Sequence, residues 1–395
     1  MDFTFFLAHW YRTLDENGGF LALKESGFSD YNVPYLYLLA ALTYLPFSAL
    51  TGIKLVSIVF DLLLAFFAFR IVALRHPRPD DWQPIAAGGA VLLLPTVAIN
   101  SGWWAQADSI YTSFIVGSVY FVLRHRPWWA CAMLGFALAF KLQTVFVLPF
   151  LLVLLAVRRI PWHTLLAIPG VYLALDVPAV LLGADPVKLL TVYARQTGTY
   201  QQLTLNAPSV YQFIDQPASA EQAANIRTAG VMIAGAVVLT LVTLAVLSRA
   251  GQAAWRRGEG HVALSDDLVV LLATCSAIVV PFLLPSMHDR YFYVADVLTL
   301  IAAFLLPHRL WFAPFLTQLS SLATYMAFLR PPSVEFAAEY NYSVRTWVLL
   351  AVVMGGAAVG VVVVTFGEFR RHQDPEAGPP EDPAVEPRPP VPAAP

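Results

Sequence analysis

Apolar runs long enough to cross a bilayer alternate with short polar loops along most of the chain. A crossing helix needs ~20 mostly apolar residues, because in lipid every backbone N–H and C=O must be paired within the segment. The pattern predicts spans at 52–74, 84–100, 108–123, 128–141, 143–158, 163–182, 228–248, 266–285, 291–307, 310–329 and 345–366. That is an all-α polytopic membrane bundle of about eleven helices. The stretch 35–50 is apolar but short, and it contains Pro46. It predicts a helix lying along the membrane surface and packed against the bundle.

Charge sorts onto alternate loops. One set carries Arg70, Arg75 and Arg78; Arg124 and Arg126; Arg158 and Arg159; Arg249, Arg256 and Arg257; Arg309; and Arg370 with Arg371. The opposite short loops carry only Lys141, Arg290, Arg330 and Arg345. The positive-inside rule makes the arginine-rich side cytoplasmic. Parity then puts 1–51 outside as an exoplasmic loop with interfacial helices. It also predicts one further helix upstream of Met1 to carry that segment across. The bundle occupies 52–366, with a long exoplasmic loop at 183–227. The tail 367–395 is proline-rich and polar, and is expected to be a disordered cytoplasmic extension.

Composition narrows the class. The chain is 58% hydrophobic and 13% charged, about half the charge of a soluble domain. A net charge of −2 argues against nucleic acid as a partner. Cys131 and Cys275 both lie in apolar runs and read as packing residues. Membrane lipid is the one partner that composition itself implies.

The polar residues that could carry chemistry collect in the exoplasmic segments. Asp2 sits where a preceding helix would end. A carboxylate at that border can act as a general base, or it is simply a solvated loop acid. Asp30, in SDYNVPY, is a second acid, or a turn or helix-capping residue. Gln106 and Asp108, in WWAQADSIY, open the next span, where an acid also serves as a dipole partner. Trp103 and Trp104 fit an interfacial belt or a stacking face for a sugar ring.

Lys141 and Gln143 occupy a tight turn in AFKLQTVF. A lone cation there either faces a wet cavity, where it can hold a phosphate, or snorkels to the headgroups. His288, Asp289 and Arg290 stand together in SMHDRYFY. Arginine suits bidentate phosphate contact and histidine suits proton transfer or phosphate hydrogen bonding; a local Asp–Arg pair is the plainer alternative. Asp61 and Asp176 lie within apolar runs, Asp61 as a helix–helix contact and Asp176 on the outer half of its span. In the loop 183–227, Asn206 and its tyrosine and glutamine neighbours suit carbohydrate hydroxyls. The acids can bind a divalent metal, but no ligand spacing demands one. No phosphate loop, dinucleotide fingerprint or nucleophile elbow is present.

In order and sidedness these segments resemble the GT-C glycosyltransferases, especially bacterial relatives of the dolichyl-phosphate-glucose and dolichyl-phosphate-mannose enzymes. Asp2 followed by Trp10 is similar to the family's acid after its first helix. DYNVPY at 30–35 resembles its Asp-Tyr-x-Pro-Pro element, with valine for the first proline. WAQADS, FKLQ, NAPSVYQ and the group His288, Asp289, Arg290 have counterparts as well. The resemblance implies an inverting enzyme of the inner membrane. It would move a hexose, mannose or glucose, from a polyprenyl-phosphate sugar donor to a lipid-linked or envelope glycan acceptor on the exoplasmic face. It casts Asp2 as general base with Asp30 in reserve, and Arg290, His288 and Lys141 as phosphate ligands. Two other readings share the features. One is a flippase or transporter for a lipid-linked sugar. The other is a ligase or polymerase fed by a polyprenyl-diphosphate glycan.

Overall fold

The computed structural model describes residues 3–196, 201–215, 217–248, 264–329 and 343–371. Asp2, Arg249, Arg256, Arg257, Arg330 and the tail beyond 371 lie outside the described residues. The helices, in chain order, are α1 (Ala8–Glu16), α2 (Val33–Leu42), α3 (Ala49–Arg75), α4 (Gln83–Leu93), α5 (Pro95–Gly102), α6 (Asp108–Leu123), α7 (Pro127–Phe140), α8 (Leu148–Ala156) and α9 (Ala167–Leu181). There follow α10 (Pro186–Leu190), α11 (Val192–Gln196), α12 (Ala220–Leu247), α13 (Asp266–Leu283), α14 (Tyr293–Leu305), α15 (Pro307–Leu310), α16 (Phe312–Leu329) and α17 (Val344–Arg371). Two short strands, β1 (Thr204–Leu205) and β2 (Met287–His288), pair in parallel.

The protein is an all-α, multi-pass membrane protein. Five helices are long and apolar enough to cross a bilayer: α3, α9 with the turn before it, α12, α13 and α17. A sixth crossing forms if α4 and α5 count as one span, bent by 50°. Pro95 causes that bend, since it has no N–H to donate into the preceding turn. The predicted spans at 108–123, 128–141, 143–158 and 291–307 are shorter apolar helices.

Local sequence explains the helix starts. Ser48, Ser219 and Ser265 cap α3, α12 and α13, each accepting from a backbone N–H three residues on. Asp266 and Asp267 then fall in the first turn of α13, where the helix dipole favours them. At that end of the bundle Asp267 meets Arg75 at 3.7 Å, Asp266 meets Arg159 at 3.8 Å, and Glu368 pairs with Arg309.

Two buried clusters organise the interior. The larger joins α3, α6, α7, α8, α13, α14 and α17 through residues such as Leu64, Ile115, Leu154, Leu271 and Met354. Its helices approach closely: a Cβ on Gly135 of α7 would come within 2.8 Å of the Ile168 carbonyl in α9. The smaller cluster is built from Leu7, Trp10, Leu14, Leu23, Leu36 and Leu39, and rests on Ile53, Ile110 and Ala179. The first fifty residues therefore form a cap over one end of the bundle.

The helix expected along 35–50 is instead α2. It ends at Leu42 and is buried along most of its length. Asn32, not Asp30, caps it, accepting from the Val33 N–H at 2.9 Å. Tyr37 of α2 wedges into α9: its hydroxyl donates to the Leu175 carbonyl at 2.8 Å and accepts from the Ala179 N–H at 3.0 Å. The wedge occupies the rung beside Pro178, where the helix already lacks a donor.

Candidate functional site

A cavity of about 760 Å³ lies between the cap and the bundle. Its volume suits a ligand of drug-like or larger size. Residues from distant segments meet there: Asp30 from the cap, Gln106 from the α5–α6 turn, Lys141 and Gln143 from the α7–α8 turn, and His288, Asp289 and Arg290 from the α13–α14 loop. The rest of the wall is largely apolar and aromatic, including Phe6, Trp10, Phe140, Phe146, Met232 and Phe328.

Asp108 is the buried pivot behind the polar wall. It opens α6 and is fully buried. Lys141 forms an ion pair with one carboxylate oxygen. The other oxygen accepts from the Asn100 side-chain amide at 2.9 Å and stands 3.9 Å from Nε of Arg290. The sequence left open whether Asp108 is a mere dipole partner. Its oxygens face two cations of the cavity, so its position at the helix start serves the site. Both cations of the wall therefore bear on this one carboxylate, and buried Asp289 lines the same wall.

Aromatic rings hold both cations in place. The Arg290 guanidinium lies 5.4 Å from the Trp104 ring, and the Lys141 ammonium lies 5.4 Å from Tyr111 and 5.9 Å from Tyr31. Trp104 in turn stacks on Phe328 at 4.8 Å. The tryptophan pair therefore divides its work, with Trp104 buried under Arg290 and Trp103 exposed.

The loop carrying His288 is fixed from outside its own helices. β1 and β2 pair Leu205 with His288, and Asn206 bridges to the same residue. The Ser286 N–H donates to the Leu203 carbonyl at 2.8 Å and the Asp289 N–H to the Leu205 carbonyl at 3.1 Å. Asn206 is exposed and stands beside His288 instead of among the lining residues. Its backbone supports the His288 loop. Ala105, Asn206 and Ser286 all have φ near +60°. Such strain in residues other than glycine gathers at sites whose geometry the surroundings dictate.

Burial, reinforced by Arg290 and Lys141, lowers the His288 proton affinity to about 3. His288 is thus neutral at ordinary pH and can give one N–H to an anion. Its ring packs 5.1 Å from Tyr291. Gln143 points an unpartnered side-chain oxygen at the site. Asp30 is exposed at the cavity wall, its backbone carbonyl accepting from Gln196. Asp2 lies outside the described residues. Among the described residues, no three His, Cys, Asp or Glu side chains converge to hold a metal ion.

The structure adds residues that sequence reasoning passed over. Arg227, in the second turn of α12, also lines the cavity and is tied to Gln201 through both its carbonyl and its side chain, the latter at 2.5 Å. A cation at the membrane-facing start of a long apolar helix was the available signal. Tyr193 and Gln196 join the wall from α11. Asp176 faces α2 from α9, buried and outside the lining.

No family model and no characterised protein matches the chain.

Proposed function

We propose that the protein is an inverting, GT-C-like hexosyltransferase of the inner membrane, using a polyprenyl-phosphate sugar at the exoplasmic face. On this reading the shorter apolar helices also cross the bilayer, giving about eleven spans. The arginine-rich end faces the cytoplasm, and the cavity opens at the outer headgroup level.

One observation carries the reading: a large cavity sets a buried lysine and a partly buried arginine on the Asp108 carboxylate, beside an apolar, aromatic wall. A lipid phosphate needs both. Lys141 and Arg290 meet its oxygens, and neutral His288 donates a further hydrogen bond. Asp108 is the positioning residue that keeps both cations aimed. The prenyl chain has a path downward. Val231 and Met232 of α12 line the cavity, and the next turns of the same helix, Val238 to Ala245, line an apolar cleft against α8 and α13.

The reaction balances simply. A carboxylate takes the proton of an acceptor hydroxyl, and that oxygen attacks the anomeric carbon from the face opposite the phosphate. The bond from that carbon to the phosphate oxygen breaks, and polyprenyl phosphate leaves with inversion. Asp2 is assigned as the base by resemblance, with Asp30 at the cavity wall in reserve. Such a base contributes ~10²–10⁴ in rate. Lys141 and Arg290 stabilise charge growing on the leaving group. Trp10, Tyr31, Tyr193 and Gln196 offer stacking faces and hydrogen bonds to the sugar and acceptor, a lipid-linked or envelope glycan.

Arg227 supports a second reading. A third cation in the cavity wall suits a diphosphate carrier and hence a glycan ligase. Purified protein offered labelled polyprenyl-phosphate hexose, or a polyprenyl-diphosphate glycan, distinguishes the two. Transfer from the monophosphate alone is the expected result. Transfer from the diphosphate alone establishes the ligase, and transfer from neither, with lipid movement across vesicles, establishes a flippase.

A further inference from the structure

One layer below the cavity, the bundle encloses a second polar group that the proposed transfer does not use. Asp296, in the first turn of α14, has no solvent exposure. The Ser321 hydroxyl of α16 donates to Oδ1 at 3.0 Å, while Oδ2 has no partner. Thr96 of α5 and Thr317 of α16 also adjoin the carboxylate. No ion pair among the described residues reaches it.

The hydroxyl oxygens lie close together around the carboxylate. Thr317 gives its proton to the Pro314 carbonyl at 3.3 Å, and Thr299 gives its own to the Ala295 carbonyl at 2.8 Å. Their oxygens stand 3.2 Å apart, within hydrogen-bond reach of each other. Thr96 begins the second half of the broken span α4–α5. Its N–H turns to the Gln318 side-chain oxygen at 3.3 Å, not to the carbonyl four residues back, and its hydroxyl accepts from the Gln318 amide at 2.7 Å. The bend therefore brings the Thr96 hydroxyl beside the carboxylate. Discontinuous helices of this kind are where membrane proteins coordinate small cations.

We propose that Asp296 anchors a buried site for one alkali cation, with the hydroxyls of Thr96, Thr317 and Thr299 as further ligands. One negative charge matches one positive charge. Hard oxygen donors without histidine or thiolate select an alkali ion over a transition metal. The cation would join α5, α14 and α16 beneath the cavity. This inference stands apart from the glycosyltransferase reading, because it concerns a different group and a different ligand.

The test uses the full chain in detergent, melted in sodium chloride, potassium chloride and choline chloride at matched ionic strength, and read by tryptophan fluorescence. A bound ion adds stability by mass action, so the melting temperature should rise by about 3 °C or more over choline in sodium or potassium. The larger rise identifies the ion. Asp296→Asn should erase the difference. Thr96→Val should weaken it, and serves alone if Asp296→Asn fails to fold. Identical melting of the unmodified protein in all three salts overturns the proposal, as does a shift that Asp296→Asn retains.

Discussion

Asp108 and Asp296 are both fully buried acids in the first turn of a helix, yet their surroundings have nothing in common. Asp108 meets an ammonium, a guanidinium and an amide. Asp296 meets hydroxyls alone. The contrast teaches that a buried carboxylate is read by its partners, not by its depth. Cations around the first make it a brace for groups that face outward into a cavity. Neutral oxygens around the second make it the single charge of a closed coordination shell.

Removing Asp108 should have the largest effect. Asp108→Asn leaves the buried Lys141 without the carboxylate it pairs with, which typically costs about 3–5 kcal/mol. Denaturation in detergent should show the loss, and sugar transfer should disappear with it. Adding Lys141→Met to Asp108→Asn should recover part of the stability but none of the transfer. If Asp108→Asn melts like the parent, the two cations do not depend on it.

Asp30→Asn comes next. If Asp30 supplies the base, turnover should fall by about 10²–10⁴ with donor affinity and melting unchanged. An unchanged rate returns the role to Asp2. Arg290→Lys preserves charge but loses the planar contact with Trp104, so the KM for the lipid donor should rise about tenfold, equivalent to ~1.4 kcal/mol.

His288 sharpens the comparison through pH. Folded, it resists protonation down to about 3, whereas unfolded it titrates near 6.5. Above 6.5 the group is neutral in both states and its environment costs nothing. As pH falls from 6.5 towards 3, the unfolded chain gains a proton that the folded one refuses, so stability declines. Melting temperatures across that range should slope downward, and His288→Gln should flatten part of the slope. The smallest effect belongs to Ala105→Gly. Relief of its positive φ should stabilise the protein by at most about 1 kcal/mol, read as a small rise in melting temperature.

Much of the cavity was legible because polarity sorted along the chain. Lys141, Gln143, Gln106, Asp30, His288, Asp289 and Arg290 come from four separate segments, and loop alternation alone placed them on one side. The sequence was less informative where side chains act inside the bundle. Asp108 reads as an ordinary helix-start acid until α7 brings Lys141 against it. Asp296 falls within an apolar run, and nothing in that run shows that Ser321 and Thr317 of another helix will face it. The backbone bridge from Asn206 to His288 was not legible, because that register depends on a pairing across more than eighty residues. The short helices α7 and α8 meet at Lys141, whose extended backbone separates α7 from the tight turn before α8. The sequence sets the break at the same turn, between 128–141 and 143–158.

The bridge between Gln202 and Ser286 joins points 84 residues apart. At about 5–20 residues per second, a ribosome needs several seconds to deliver the later partner after the earlier one has left it. During that interval the first strand has no mate, and the histidine it will hold does not yet exist. The paired strands that carry this histidine are therefore completed well after the first helices begin entering the membrane.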